Sequence, residues 1–329
     1  GPRASSAPRS ADRLRRWSSV AVMAAAVVLL ALPWGVREYN IQLANLFLIG
    51  ALFALSFNVL FGYTGLLSFG QATFFGVGAY ALALLMKKAG LSFALAFVLS
   101  VPITALFAGV IGFFCSRATE FFFSVLTLAF GQLLFVVASK WYTLTAGDDG
   151  IQSIFPPPAL GSATRYYYFS LAVVALCTAA LWWIARSPFG YTLQSIRDNP
   201  QRSEAIGINL RLYRWMAFVV SGVFAGVAGA LFTTFNWAVA PTELDWTKSA
   251  EPVVMTLIGG PHLFGGPIVG AAIFTFFQFY LGKHTLFWAL SMGVVILFVV
   301  RFMPGGVGGY IFQRVQAARE ASGKHAAQR

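Results

Sequence analysis

No Gly-x-x-x-x-Gly-Lys-Ser/Thr run occurs in the chain, so it has no P-loop with which to cradle ATP phosphates. Gly282-Lys283 and Gly323-Lys324 lack both the upstream glycine and the following hydroxyl. His-Glu-x-x-His and the nucleophile elbow are missing too, which leaves zinc-protease and serine-hydrolase readings without residues. The two cysteines, Cys115 and Cys177, fall at or inside apolar segments and have no metal-ligand spacing. They read as small buried residues, which sets aside a disulfide framework, zinc and thiol chemistry. Charge is scarce as well: 10% of residues, against about 25% in an average soluble domain. A net charge of +12 raises the question of nucleic acid, but the basic residues are scattered over loops and tails and leave no basic domain to bind it.

What is abundant is apolar. The chain is 58% hydrophobic with a mean hydropathy of +0.73, and several stretches reach the roughly 20 residues that cross a bilayer. The segments 18–35, 41–62, 65–86, 91–115, 120–139, 166–186, 215–236, 250–260, 266–282 and 285–303 predict an all-α, polytopic membrane bundle of about ten membrane segments. With the N-terminus inside, sixteen of the 23 Lys and Arg residues lie in the cytoplasm and seven outside, which places both termini in the cytoplasm. Lys87 and Lys88 dissent. Gly1-Pro2 reads as a protease scar at the head of a basic tail, 1–17; the transmembrane domain is expected over 18–309 and a polar tail over 310–329. Arg3–Arg16 followed by Val20–Leu32 has the form of a signal peptide, but in a chain apolar throughout it reads more simply as the first membrane helix.

Two segments are too rich in glycine and proline for plain helices: Gly62–Tyr80, and Met255–Ala271 with its Gly259-Gly260-Pro261 and Gly265-Gly266-Pro267. Irregular backbone at membrane depth persists where protein or a water-filled cavity covers it, and paired interruptions point to a transport pathway. Asn58, Ser68, Gln71, Gly76, Glu251, Gly259 and Gly260 are the pathway candidates this gives, with Gln132 and Gln278 as further polar residues that line a path or bond between helices. Close packing is the competing role for the glycines, and Gly222-x-x-x-Gly226 and Gly266-x-x-x-Gly270 fit it well. Glu120 and Glu251 each open an apolar segment, where the helix dipole favours a carboxylate, so capping is the preferred reading for both. The loop Lys140–Arg165 carries Asp148, Asp149 and Gly150; it is too short in ligands for an EF-hand, and reads as a solvated turn or a docking site for a soluble protein.

The longest polar break is Ser187–Arg214. Phe189, Leu193 and Ile196 recur at i, i+4 and i+7, one face of a short helix. Asn199-Pro200 reads as a turn into a second short helix ending near Ile206, with Gly207 at its left-handed cap. Arginines alone are explained by orientation in the membrane. Apolar residues at helical spacing within the charge predict a helix that lies on the bilayer or fills a groove in a soluble partner.

The run Gly190–Asn199, then Glu204-Ala-Ile-Gly207-Ile-Asn209 and Tyr213–Phe218, resembles the cytoplasmic signature of the LivM-type permeases, membrane subunits of the branched-chain amino-acid class of ABC importers. The two glycine-rich blocks and the closing Phe302–Gly308 are similar to that family in the same order, over about residues 41–309. The resemblance implies an architecture like that of the cobalamin importers, by analogy. It also implies a bacterial inner-membrane subunit that pairs with a second, LivH-like permease and with two ATP-binding subunits. ATP and Mg would be held by those partners, with no cofactor or metal in this chain. Substrate would come from an external binding protein, met at Asp148, Asp149 and Gly150. Phe189, Gly190, Leu193, Ile196, Arg197, Asp198, Asn199, Glu204 and Gly207 would form the element that couples to the ATPase. Branched-chain and other neutral amino acids, or urea and short amides, are the implied solutes. The alternative from another class is an ion-coupled secondary transporter; it would place acidic residues well inside helices, and the sequence has none clearly there.

Overall fold

The computed structural model describes residues 29–33, 38–284, 288–303 and 305–310; most of the expected first segment, 18–35, lies outside them. Each of the other nine expected segments is a helix: α1 Glu38–Asn58, α2 Gln71–Lys87, α3 Phe93–Cys115, α4 Glu120–Lys140, α5 Ala163–Ala185, then α8 Leu210–Asn236, α9 Trp246–Gly259, α10 Gly266–His284 and α11 Trp288–Phe302. Between α5 and α8 stand two short helices, α6 Pro188–Asp198 and α7 Pro200–Ala205. Five stretches are long and apolar enough to cross a bilayer: Glu38–Thr64, Phe93–Cys115, Phe121–Lys140, Ala163–Ala185 and Leu210–Asn236.

α1 and α8 form the centre. α1 is apolar on every side and buried without interruption from Ala51 to Asn58, the mark of a helix enclosed by others. α8 faces α2 through small residues; Gly78 meets the Gly226 backbone so closely that it has no room for a methyl group, and a methyl at Gly226 would strike Thr104 of α3. α3, α4 and α5 instead turn large apolar side chains outward, with Leu106, Phe121 and Leu176 each at least 66% exposed. Large apolar side chains turned outward on helices of membrane-crossing length form lipid-facing surfaces, and the chain is a multi-pass membrane protein. Trp141, Tyr142, Trp237 and Trp246 are exposed at the end of the bundle where a two-residue antiparallel ribbon joins β1 (Ile151–Gln152) to β2 (Ala238–Val239), as aromatic residues are at a membrane boundary.

Both glycine-rich segments are broken. α1 runs into a π-helical turn, Val59–Thr64, stopped by Gly65 at φ 77°. Residues 65–70 then have no helix, and side chains of α4 satisfy their backbone: Ser124 Oγ donates to the Leu67 carbonyl at 2.6 Å, and Phe69 N donates to Thr127 Oγ1 at 3.3 Å. α2 starts at Gln71, six residues later than the segment expected from residue 65. The second break, Gly260–Gly265, separates α9 from α10.

The stretch before α9 corrects the sequence reading. Residues 237–249, expected as an external loop, fold back between the helices. Leu244 packs against Gly76 in the body of α2, and Ser249 Oγ accepts from Ala72 N at 2.9 Å, serving one of the free amides at the start of α2. Because the chain re-enters the bundle before helix formation begins, α9 needs only 14 residues, roughly 21 Å at 1.5 Å per residue.

Candidate translocation cavity and coupling element

A cavity of about 530 Å³ lies between α1, α9 and α10, with Phe75 of α2 and Phe232 of α8 completing its wall. α1 contributes Tyr39, Ile49 and Phe53; α9 contributes Lys248, Glu251 and Met255; α10 contributes Thr275 and Gln278. Of the sequence candidates for the pathway, Glu251 alone lines it, joined by Gln278.

Glu251 is not a cap. α9 begins at Trp246, with Asp245 in the capping position, so Glu251 stands in the second turn and pairs with Lys248. Lys248 Nζ is 3.1 Å from Glu251 Oε2 and 3.5 Å from Glu243 Oε2, and lies 5.0 and 5.4 Å from the ring centroids of Phe232 and Phe75. All three charged side chains are at most 20% exposed. Sequence reasoning missed Lys248 and Glu243 because both fell in the supposed external loop; the i, i+3 spacing of Lys248 and Glu251 was the signal that could have found them. Glu251, expected at the opening of its helix, stands instead in the second turn of α9, and Glu243 joins it from the stretch before that helix.

The remaining pathway candidates are packed away from this cavity. Gln71 is fully buried and donates to Ser56 Oγ at 3.0 Å and Ser221 Oγ at 2.9 Å, tying α2 to α1 and α8. Ser68 accepts from Gly70 N at 3.3 Å. Gly76 lies under Leu244, while Gly259 and Gly260 press against the backbone of Gly266 and Gly305. Asn58 is buried beside Gly62 with both amide atoms lacking a hydrogen-bond partner. Asp148 and Asp149 are exposed on a tight turn, and the buried Gly150 lies against the Val239 carbonyl, which seats the turn on the ribbon.

At the opposite end from the ribbon, α6 and α7 follow directly from their sequence. Ser187 Oγ accepts from Gly190 N at 3.4 Å, Pro188 occupies the first turn, and Asn199 caps α7 by accepting from Arg202 N at 2.9 Å. Gly207 has φ 91°, as its capping position requires. The apolar face, however, is taken by this chain's own bundle. Leu193 and Ile196 are 1% and 0% exposed, Gly190 lies on the Ala185 carbonyl, and Phe189 stacks on Tyr213 at 5.8 Å. This corrects the expectation that Phe189, Leu193 and Ile196 are free for a groove or a bilayer: they moor the element. Among the residues it leaves exposed are Tyr191, Asp198, Asn199, Arg202, Glu204, Ile206 and Gly207.

Arg197 joins this element to both breaks. Its Nη1 donates to the Gly62 carbonyl at 2.5 Å and to His262 Nδ1 at 3.4 Å, while Nη2 meets Asp198 Oδ1 at 2.9 Å. Gly62 itself approaches the Pro261 carbonyl too closely for any side chain. One guanidinium therefore holds the ends of α1 and of the α9–α10 break to the polar helix pair.

Five helices long enough to cross a bilayer, two covered breaks, a largely apolar cavity bearing Lys248 and Glu251, and a moored surface element define, among the described residues, a polytopic membrane bundle. The chain belongs to the family described as branched-chain amino acid transport system / permease component, which it matches over residues 39–301, and is a permease component of an ABC transporter. It is 24% identical to the high-affinity branched-chain amino acid transport system permease protein LivM of Salmonella typhimurium strain LT2, over 87% of this chain and 74% of that protein. The protein of the same name from Escherichia coli K12 is 25% identical over the same shares. The guanosine ABC transporter permease protein NupQ of Bacillus subtilis strain 168 is 27% identical over 77% of each chain. No solved structure matches.

Proposed function

We propose that this chain forms one half of the pathway of an ATP-driven importer in a bacterial inner membrane, carrying branched-chain or other neutral amino acids, or related small polar solutes such as urea and amides. A second, LivH-like permease completes the pathway. Two ATP-binding subunits with ATP and Mg drive it, and an external binding protein delivers the solute to the end bearing Asp148, Asp149 and Gly150. The observation that carries this reading is the Arg197 junction. A shift of α6–α7 by an ATPase acts through Arg197 on Gly62 and His262, which end the cavity-lining helix α1 and begin the turn between the cavity-lining helices α9 and α10. Motion at the polar element is thereby delivered to the walls of the cavity.

The test is purification of the chain from native membranes in mild detergent, followed by uptake in proteoliposomes. A second permease and Walker-motif ATPases in the eluate, with ATP-dependent uptake of leucine or isoleucine, is the expected result. The partly buried Glu243 and Glu251 are what an ion-coupled secondary transporter would use. Uptake by this chain alone, driven by a proton or sodium gradient without ATP, would establish that alternative instead.

A further inference from the structure

We infer that Glu251, held with Glu243 around Lys248, receives the ammonium group of the transported solute, so that this permease itself selects for a primary amine. The inference deepens the importer reading and rests on it.

One lysine faces two carboxylates, so the Glu243–Lys248–Glu251 cluster beside the cavity has one cation fewer than it has carboxylates. A buried group of that kind is costly unless something compensates it. Glu243 Oε2 is buried with its 3.5 Å ion pair and no hydrogen bond. Glu251 and Lys248, not Glu243, line the cavity, so the carboxylate a solute meets is Glu251. The rings of Phe75 and Phe232 are already engaged by Lys248 Nζ, at 5.4 and 5.0 Å from their centroids, which holds the lysine on this wall. An ammonium entering here finds the Glu251 carboxylate, and completes the neutralisation that Lys248 alone leaves undone. The rest of the lining fits the remainder of such a molecule. Leu43, Leu46 and Ile49 offer an apolar wall, and Lys283, exposed at the far end of α10, offers a partner to a carboxylate. Relatives of this chain bear the names of both amino-acid and guanosine permeases. Guanosine has no ammonium group; the charge count at Lys248 therefore separates these classes where overall similarity does not.

The experiment uses the complete importer in nanodiscs and measures retention of tritiated leucine, competed by 3-methylbutylamine or by 4-methylpentanoate. These probes keep the hydrocarbon chain but carry only the amine or only the carboxylate. The amine is expected to compete at least about tenfold better than the acid. Glu251→Gln should erase that preference, and Glu251→Asp should restore part of it. A merely structural role for Glu251 would weaken every probe alike and leave their ratio unchanged, which overturns the inference. So does an acid that competes as well as the amine in the wild-type complex, a comparison that needs no variant to fold. Where leucine is not retained, direct retention of tritiated 3-methylbutylamine decides. If it binds and Glu251→Gln abolishes that binding, the ammonium site stands while the amino-acid reading fails. If it does not bind, both fail.

Discussion

Arg197 and Gly62 are 135 residues apart in sequence and joined by a 2.5 Å hydrogen bond from guanidinium to carbonyl. The carbonyl belongs to a π-helical turn, where ordinary helical pairing has already been given up. A charged donor from outside the helix is a strong way to satisfy such a group. Since the same guanidinium reaches His262, the two breaks are held by a single side chain on the polar element.

Replacing Arg197 with alanine should therefore uncouple the machine without unfolding it. Leu193, Ile196 and Phe189 keep α6 moored, so the complex is expected to assemble and hydrolyse ATP. Loss of a charged hydrogen bond to a largely buried carbonyl removes about 1.5–3 kcal/mol from the junction. Transport per ATP in proteoliposomes should fall by about tenfold or more. An unchanged ratio would show that motion reaches the cavity by another route.

The face by which α6–α7 meets a partner is fixed by what the bundle has already claimed. Tyr191 and Ile206 are 62% and 70% exposed, while Leu193 and Ile196 are enclosed. With Cys115 and Cys177 buried, single cysteines can report on this surface. Tyr191→Cys and Ile206→Cys should react with a water-soluble maleimide in the isolated subunit and be shielded in the full complex. Leu193→Cys should be unreactive in both. Labelling of Tyr191→Cys that is equal with and without the ATPases would remove this face from the interface.

Much of this was legible in the sequence because the signals are local. Asn199-Pro200 and Gly207 set the bounds of α7 by capping chemistry, and apolar length set the spans. What escaped depended on contacts made from far along the chain. The 3.6-residue stripe of α6 shows that an apolar face is buried but not against what, and it is buried on its own protein. Residues 237–249 look like an external loop because they are polar and lie between two apolar runs. Their true position is set by Leu244 fitting over Gly76 and Ser249 reaching the start of α2, pairings of more than 160 positions that no local pattern records. Glu251 reads as a cap in the sequence for the same reason: the start of α9 follows from that re-entry.

Gln71 should matter for stability more than for selectivity. It is fully buried, outside the cavity, and donates to hydroxyls on two other helices. Interhelical hydrogen bonds in membranes are worth about 0.6 kcal/mol each, with an upper range near 1.7. Gln71→Leu is thus expected to cost about 1–3 kcal/mol and to lower the midpoint of thermal unfolding in detergent. Relative uptake of different solutes should not change; altered solute preference with unaltered stability would place Gln71 on the pathway after all.

The small-residue seam between α2 and α8 allows a sharper contrast. A side chain at Gly78 meets the Gly226 backbone, which cannot yield without separating the two helices, whereas an added methyl at Gly293 of α11 has no atom within 4 Å. Gly78→Val should destabilise by about 3 kcal/mol or more, since overpacking here moves backbone and not just side chains. Gly293→Ala in the isolated subunit should be neutral or gain up to about 1 kcal/mol from helix propensity. Thermal unfolding of the two variants in the same detergent checks both. If Gly293→Ala is neutral in the isolated subunit yet disrupts the assembled transporter, the open side of α11 faces a partner subunit, and the loss on assembly locates that contact.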